Sequence, residues 1–293
     1  MHIGFIGLGR MGQGMARRIL SGGHDLSVFD VLSERTAEFA TAGARAAASV
    51  SDLCSGRRVV ITMLAEDAHV LEVASGVGGL RDSLPAGAIH LAMGTYGIPT
   101  IRALGAIHGA ANQVLLAAPV LGRPDLAASG QLGIVAAGPQ DAVRECEPLF
   151  QLIGRHTFHA GTTPEAATAI KLANNLVLGC AIQAMGEAFS LVRKYGVPQQ
   201  VLYDVMTEGL FSAPAYKGYG KIIVDGSYDR AGSTIHLNLK DANLILAAAD
   251  LARVPLPSGD VFHDRLLGSI AHGDGERDVA ALAREQARAC GLE

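Results

Sequence analysis

The sequence predicts an α/β chain: a doubly wound, mainly parallel sheet over residues 1–161, joined by a long helix to an all-helical domain over residues 162–293. Three observations predict it. An apolar run at the N-terminus ends in closely spaced glycines. Short β runs then alternate with helical stretches, the pattern of strands joined by crossover helices. After Gly161 no further strand-like run occurs. A hydrophobic content of 49% over 293 residues supplies apolar side chains for two cores.

The first strand is expected over His2–Ile6 and the first helix over Arg10–Leu20, with Gly7-Leu8-Gly9-Arg10-Met11-Gly12 at their junction. Each glycine of this G-x-G-x-x-G spacing has a mechanical task in a dinucleotide site. Gly7 turns the chain sharply out of the strand. Gly9 lets a pyrophosphate approach the backbone, and Gly12 lets the helix pack tightly on the sheet. The helix start, with Arg10 and Met11 in its first turn, aims unpaired N–H groups and a positive dipole end at the phosphates. A second strand, Leu26–Phe29, runs into Asp30, about 20 residues beyond the motif, where a carboxylate accepts hydrogen bonds from the adenosine ribose. The combination predicts a Rossmann domain. The Asp30 charge repels the additional phosphate of NADP, so NAD is favoured. Ser33 and Arg35 lie just beyond and leave NADP possible.

Further strands are expected at Val59–Met63, Ala88–Leu91, Gln113–Ala117, Gly133–Ala137 and His156–His159. Helices are expected near Glu34–Ala42, Ala68–Val73, Pro99–His108 and Asp141–Leu152. Thr95 follows a strand and so falls at the C-terminal edge of the sheet, where α/β proteins bind ligands. The alternative is a simple turn or cap. From Pro164 to about Lys194 the chain contains no helix breaker except Gly179 and Gly186, read here as tolerated. Thr162 or Thr163 can cap this helix, with Pro164 in its first turn. Its length is roughly 30 residues, or about 45 Å, more than one small domain covers. Helices follow at Gln199–Thr207, Ala213–Ile223, His236–Ala252, Pro257–Ala271 and Val279–Cys290.

Composition limits the function classes. A formal net charge of −4 offers no basic footprint for nucleic acid. Cys54, Cys146, Cys180 and Cys290 are far apart and form no C-x-x-C pair. They read as reduced thiols of a cytoplasmic protein, neither a disulfide frame nor a metal site. No cationic leader precedes the first strand. The most apolar stretch, Leu172 to Val192, is interrupted by Asn174, Asn175, Gln183 and Glu187, which argues against a membrane span.

One face of the long helix carries candidate chemistry. Lys171 and Asn175 are spaced i, i+4 and stand one turn apart on the same side. Ala169, Ile170, Leu172, Ala173, Leu176 and Val177 around them are apolar. A lysine in such surroundings is desolvated, which lowers its pKa and suits it to proton transfer near neutrality. Asn175 is placed to hold a substrate hydroxyl or carboxylate. On spacing alone the alternative is a lysine that snorkels to water and an Asn that caps a neighbouring loop. Lys240-Asp241 is a second charged pair, with a solvated helix face as its alternative.

Taken together, these segments resemble the β-hydroxyacid dehydrogenase family, which includes 3-hydroxyisobutyrate dehydrogenases, tartronate semialdehyde reductases and glyoxylate/succinic semialdehyde reductases. The resemblance covers essentially the whole chain. Gly7-Leu8-Gly9-Arg10-Met11-Gly12 resembles the family's cofactor motif, and Lys171-Leu172-Ala173-Asn174-Asn175 its catalytic K-x-x-N-N. Lys240-Asp241 resembles its K-D motif, whose lysine lies beside the cofactor. Ile61-Thr62-Met63-Leu64-Ala65 resembles the loop under the nicotinamide-side ribose, and Thr95 falls where the family places a threonine near the nicotinamide. The resemblance implies hydride transfer between a nicotinamide cofactor and a β-hydroxy acid or its semialdehyde, with Lys171 catalytic. It also implies a homodimer or homotetramer in which the long helix is buried against a partner.

Two departures stand out. The family's substrate loop usually reads D-A-P-V-S-G-G; here it is Ala117-Ala118-Pro119-Val120-Leu121-Gly122-Arg123. Leu121 replaces the serine that helps to hold the substrate carboxylate, and Arg123 replaces a glycine. Backbone N–H groups at Leu121 and Gly122 remain able to bind an anion, and Arg123 offers a bidentate clamp or a surface ion pair. The glycine-rich approach to the lysine is replaced by Gly161-Thr162-Thr163-Pro164-Glu165-Ala166-Ala167. Phe211, Tyr216 and Tyr219 are candidates to shape the substrate pocket. Two rival readings are an imine reductase of the same architecture, favoured by the apolar Leu121 and opposed by Lys171, and a non-catalytic dinucleotide-binding protein.

Overall fold

Runs of Val, Ile and Leu punctuated by glycine form a nine-stranded sheet in the computed structural model, which describes all 293 residues. The strands are β1 (His2–Ile6), β2 (Asp25–Phe29), β3 (Arg45–Ala46), β4 (Val59–Thr62), β5 (Ile89–Ala92), β6 (Val114–Ala117), β7 (Val120–Leu121), β8 (Leu132–Ala137) and β9 (Gly154–Gly161). Their order is β3-β2-β1-β4-β5-β6-β8-β7, with β9 also paired to β8. All pairings are parallel except those of β8 with β6 and β7. The chain leaves β6, forms β7 and returns as β8 antiparallel to both. Every residue of β4 and β5 is buried, as expected for strands covered on both faces.

Helices α1 (Arg10–Ser21), α2 (Ser33–Thr41), α3 (Val50–Cys54), α4 (Asp67–Ser75), α5 (Leu80–Ser83), α6 (Ile98–Ala110), α7 (Pro124–Ser129) and α8 (Gln140–Ile153) connect these strands. Met15 and Ile19 of α1 and Leu149 and Phe150 of α8 pack with Phe5, Val28 and Leu91 on one face. Ile6, Val60, Leu53 and Leu80 form a cluster on the other. The short elements β3, β7, α3, α5 and α7 were not expected from the sequence, because two to six residues are too few to display a period.

Two compact units result, Met1–Lys171 and Leu172–Glu293. The first does not end with the sheet at Gly161. It includes the opening turns of α9 (Pro164–Lys194), whose Ala167 is buried in a cluster with Tyr96 and Leu104. In the second unit, Ile182, Met185 and Phe189 of α9 form a core with side chains of α11 (Pro214–Asp225), α12 (Ile235–Ala252) and α13 (Pro257–Ala271). Helix α10 (Gln199–Glu208) packs beside α11. By length and composition α9 is apolar enough to cross a membrane.

Gly179 and Gly186 are more than tolerated. A Cβ at Gly179 would lie 2.4 Å from the Phe262 ring, and one at Gly186 3.0 Å from Ala283 Cα. Both glycines therefore let α9 approach its neighbours closely. The last expected helix is divided: a 3-10 turn at Val279–Ala281 precedes α14 (Leu282–Ala289). The Asp278 side chain caps that turn by accepting from Ala280 N–H.

Candidate active site

The glycine motif has the geometry its spacing demands. Gly7 adopts φ +98°, and a Cβ there would lie 2.5 Å from Met63 O. A Cβ at Gly12 would lie 1.9 Å from Gly7 O, so the helix start rests directly on the turn. Around Gly9 no heavy atom lies within 4 Å of the Cβ position, which leaves the backbone open to a ligand. Gly9 is also the N-cap of α1 and no side chain caps that end. A pyrophosphate fits this arrangement: approach space above Gly9, helix N–H groups behind it and a positive dipole end. Leu8 is buried, Met11 half-buried and Arg10 exposed.

Asp30 lies at the tip of β2 with its side chain only 5% exposed. Its Oδ2 accepts from Leu8 N–H at 2.7 Å and its Oδ1 from Leu32 N–H at 3.0 Å. The carboxylate thus ties the glycine turn to the next loop while keeping lone pairs for ribose hydroxyls. Arg35 Nη1 stands 3.5 Å from both oxygens and offsets part of the charge that would repel a 2′-phosphate.

Met63 and Leu64 follow β4 at the C-terminal edge of the sheet, and Met63 N–H donates to Ile6 O at 2.9 Å. The Leu64 side chain and the Met63 carbonyl border Gly7. Thr95 follows β5 on the same edge and is half-buried. Gly7, Asp30, Met63, Leu64 and Thr95 thus all follow strand ends on one rim of the first unit.

Lys171 is the last residue of this unit, and its Nζ donates to Val120 O at 2.8 Å. The amine is thereby held against the strand that begins the Val120-Leu121-Gly122-Arg123 loop. Its helical neighbours do not bury it: Ile170 is 44% and Val177 68% exposed, and only Leu172 among them is fully buried. Lys171 is half-buried through its contact with β7, not through an apolar helical face. Gly122 has φ +141°, and a Cβ there would lie 2.9 Å from Leu132, so this turn requires glycine. Leu121 and Arg123 are half-buried, and Arg123 is the N-cap of α7.

In the second unit, Asn175 Nδ2 donates to Asp241 Oδ2 at 2.7 Å. Lys240 Nζ stands 2.9 Å from Asp241 Oδ1, an ion-pair contact not aligned as a hydrogen bond. Asp241 therefore fixes which way the Asn175 amide faces, a role no sequence spacing revealed because α9 and α12 are far apart in the chain. Asn174 is exposed. Tyr219 is buried in the helical core, while the Phe211 and Tyr216 rings meet at a tilt of 48° with centroids 5.0 Å apart.

With this geometry in hand, comparison with known proteins gives a consistent picture. The profile of the NAD binding domain of 6-phosphogluconate dehydrogenase matches residues 2–161, and that of the NAD-binding region of NADP-dependent 3-hydroxyisobutyrate dehydrogenase matches 166–285. An uncharacterised oxidoreductase of Bacillus subtilis is 37% identical over 97% of this chain and 99% of its own length. An NAD-dependent L-serine dehydrogenase of Pseudomonas aeruginosa is 31% identical over 97% of both chains. The crystal structure of a 3-hydroxyisobutyrate dehydrogenase from Salmonella typhimurium superposes with a TM-score of 0.86 at 27% identity, covering 97% of this chain and 99% of that one.

Proposed function

The chain belongs to the β-hydroxyacid dehydrogenase family, NAD(P)-dependent oxidoreductases that act on CH–OH, and on that premise we propose that it uses NAD on a β-hydroxy acid or its semialdehyde, with Lys171 as the proton-transferring group. The bound nicotinamide supplies the hydride chemistry. In oxidation the neutral Lys171 amine takes the substrate hydroxyl proton; in reduction the ammonium returns it. Donation to Val120 O fixes the direction of this amine. Asn175, its amide set by Asp241, orients the substrate together with Asn174. The Leu121 and Gly122 amides and the Arg123 guanidinium receive the acid group. From the K-D resemblance, Lys240 is assigned a role in holding the cofactor.

The observation that carries this reading is the Lys171–Val120 hydrogen bond, which couples the proton-transferring amine to the acid-binding loop within one unit. NAD is the preferred cofactor because Asp30 is retained where ribose hydroxyls would bind. We read the protein as cytoplasmic, with its four cysteines free, and as a homodimer or homotetramer. The test is a screen of β-hydroxy acids, semialdehydes and cyclic imines with NAD and NADP, following reduced nicotinamide absorbance. Turnover of hydroxy acids with NAD is expected; turnover of imines alone overturns the assignment.

A further inference from the structure

A continuous chain of buried polar side chains runs through the first unit, and none of its members takes part in the chemistry above. It begins at Gln113, just before β6. Gln113 Nε2 faces three backbone carbonyls, those of Leu80 at 3.2 Å, Arg81 at 3.0 Å and Leu84 at 2.8 Å. An amide oxygen there would face three acceptors, whereas the NH2 group has two protons to share among them, so the amide orientation is fixed and Oε1 points the other way. Oε1 lies 2.7 Å from His108 Nδ1 on α6. His108 Nε2 lies 2.8 Å from His90 Nδ1 on β5, and His90 Nε2 lies 2.8 Å from Thr62 Oγ1 at the end of β4. On the same rim, Leu64 N–H donates to Tyr96 Oη at 3.3 Å.

Proton counting gives the chain one direction. Gln113 Oε1 only accepts, so His108 carries its proton on Nδ1 and accepts at Nε2. His90 must then donate from Nδ1 and accept at Nε2. Thr62 has a single proton, which goes to His90. Tyr96 accepts from Leu64 N–H. Every link is satisfied when both imidazoles are neutral, and a proton added to either ring turns its accepting Nε2 into a donor facing the donor it had accepted from. Burial drives both imidazoles toward that neutral form.

The far end of this chain is the cofactor rim. The chain ends at Thr62, the residue before Met63, while Tyr96 holds the Leu64 amide; the Met63 carbonyl and the Leu64 side chain border Gly7 of the glycine turn. Gly94 leaves room for the Tyr96–Leu64 contact: a Cβ there would lie 2.4 Å from Tyr96 Oη and 2.6 Å from Leu64 O. We propose that Tyr96, Thr62, His90, His108 and Gln113 are positioning residues for the dinucleotide, holding the Met63–Leu64 backbone in the place where it supports the nicotinamide-side ribose. The proposal rests on the assignment of Met63 and Leu64 to the cofactor site. The chain is anchored on α5 carbonyls, so the rim is held by a rigid scaffold and not by loop packing alone.

The test combines affinity, stability and tautomer state in the full-length protein. Tyr96→Phe keeps the ring and orphans the Leu64 amide; it is expected to weaken NADH binding about tenfold, read by nicotinamide fluorescence, with little change in Tm. His90→Leu cuts the chain in the middle and is expected to weaken NADH binding similarly. His90→Gln presents an acceptor and a donor in the same order and is expected to restore most of the affinity. Nitrogen-15 NMR is expected to show both His90 and His108 as Nδ1–H tautomers. Unchanged NADH affinity in Tyr96→Phe and His90→Leu, with only Tm lowered, makes the chain a packing feature and overturns the proposal. An Nε2–H tautomer at either ring overturns its direction. Gly9→Leu separates the two levels: if it binds NADH as tightly as the parent, the cofactor placement itself fails. If Gly9→Leu loses NADH while Tyr96→Phe and His90→Leu retain it, only the positioning role fails.

Discussion

The two units treat their apolar surface differently. In the first, the sheet is covered on both faces and its exposed apolar side chains, such as Val31, Val77 and Phe158, are scattered. In the second, they recur along helices: Val177 and Leu191 on α9, Val201 and Val205 on α10, Val261 and Leu267 on α13. Val177 and Leu191 are four turns apart and lie nearly on one side of the helix. A sheet with helices on both faces completes its own core, whereas a small helical bundle with one very long helix leaves apolar surface exposed. The first unit therefore encloses its own apolar surface, and the second carries the surface that the proposed oligomer would cover.

The largest test of that division is Lys171→Ala. If the first unit binds the cofactor by itself, the variant retains NADH affinity within about twofold while kcat falls roughly 1000-fold, the range expected for a lost acid–base group. Stopped-flow binding and steady-state turnover report the two separately. A loss of NADH binding comparable to the loss of turnover breaks the distinction between a binding unit and a chemical group at its edge.

Next in size is the assembly. Val177→Asp combined with Leu191→Asp places two charges on the exposed stripe of α9. Light scattering is expected to show the protomer mass for this variant and a multiple of it for the parent. An unchanged mass in a variant with intact helical content shows that this stripe is not the covered surface.

Much of this contrast was legible in the sequence. Pro164 and the run without breakers set the limits of α9, and those limits hold in the structure. The glycine turn and the place of Asp30 at the end of β2 were legible because their geometry depends on local spacing. What was not legible depends on residues that meet only in space. His90 reads as one more member of the buried Ala88-Ile89-His90-Leu91 strand, and only its polarity in a fully buried segment signals a partner. The hold of Asp241 on Asn175 and the antiparallel turn of β8 likewise come from packing between distant segments.

A third, smaller effect is confined to the first unit. Burial, with the neighbouring His108 second, keeps the His90 pKa well below the ordinary 6.5. The unfolded chain therefore binds a proton at His90 below about pH 6.5 that the folded chain refuses. Stability from this source is complete above that pH and declines as pH falls beneath it, by about 1.4 kcal/mol per pH unit for each such histidine. Urea unfolding at pH 7.5 and 5.5 is expected to show the decline, and His90→Gln to reduce it. A flat profile means that the first unit tolerates charge in its core and is less sealed than its burial suggests.

The smallest expected effect concerns cofactor choice. Arg35 reaches Asp30 only at 3.5 Å and is itself 38% exposed, so their attraction is screened by water. Its influence on the bound dinucleotide should nonetheless have a sign. With Arg35 present, part of the Asp30 charge is offset and a 2′-phosphate is repelled less. Arg35→Ala removes that offset while leaving the Leu8 and Leu32 amides on the carboxylate. The KM for NADP is then expected to rise about threefold while that for NAD stays unchanged. A rise for both cofactors indicates that Arg35 supports the β2 tip as a whole, and the first unit's binding edge then depends on a surface side chain that its sealed core would not have suggested.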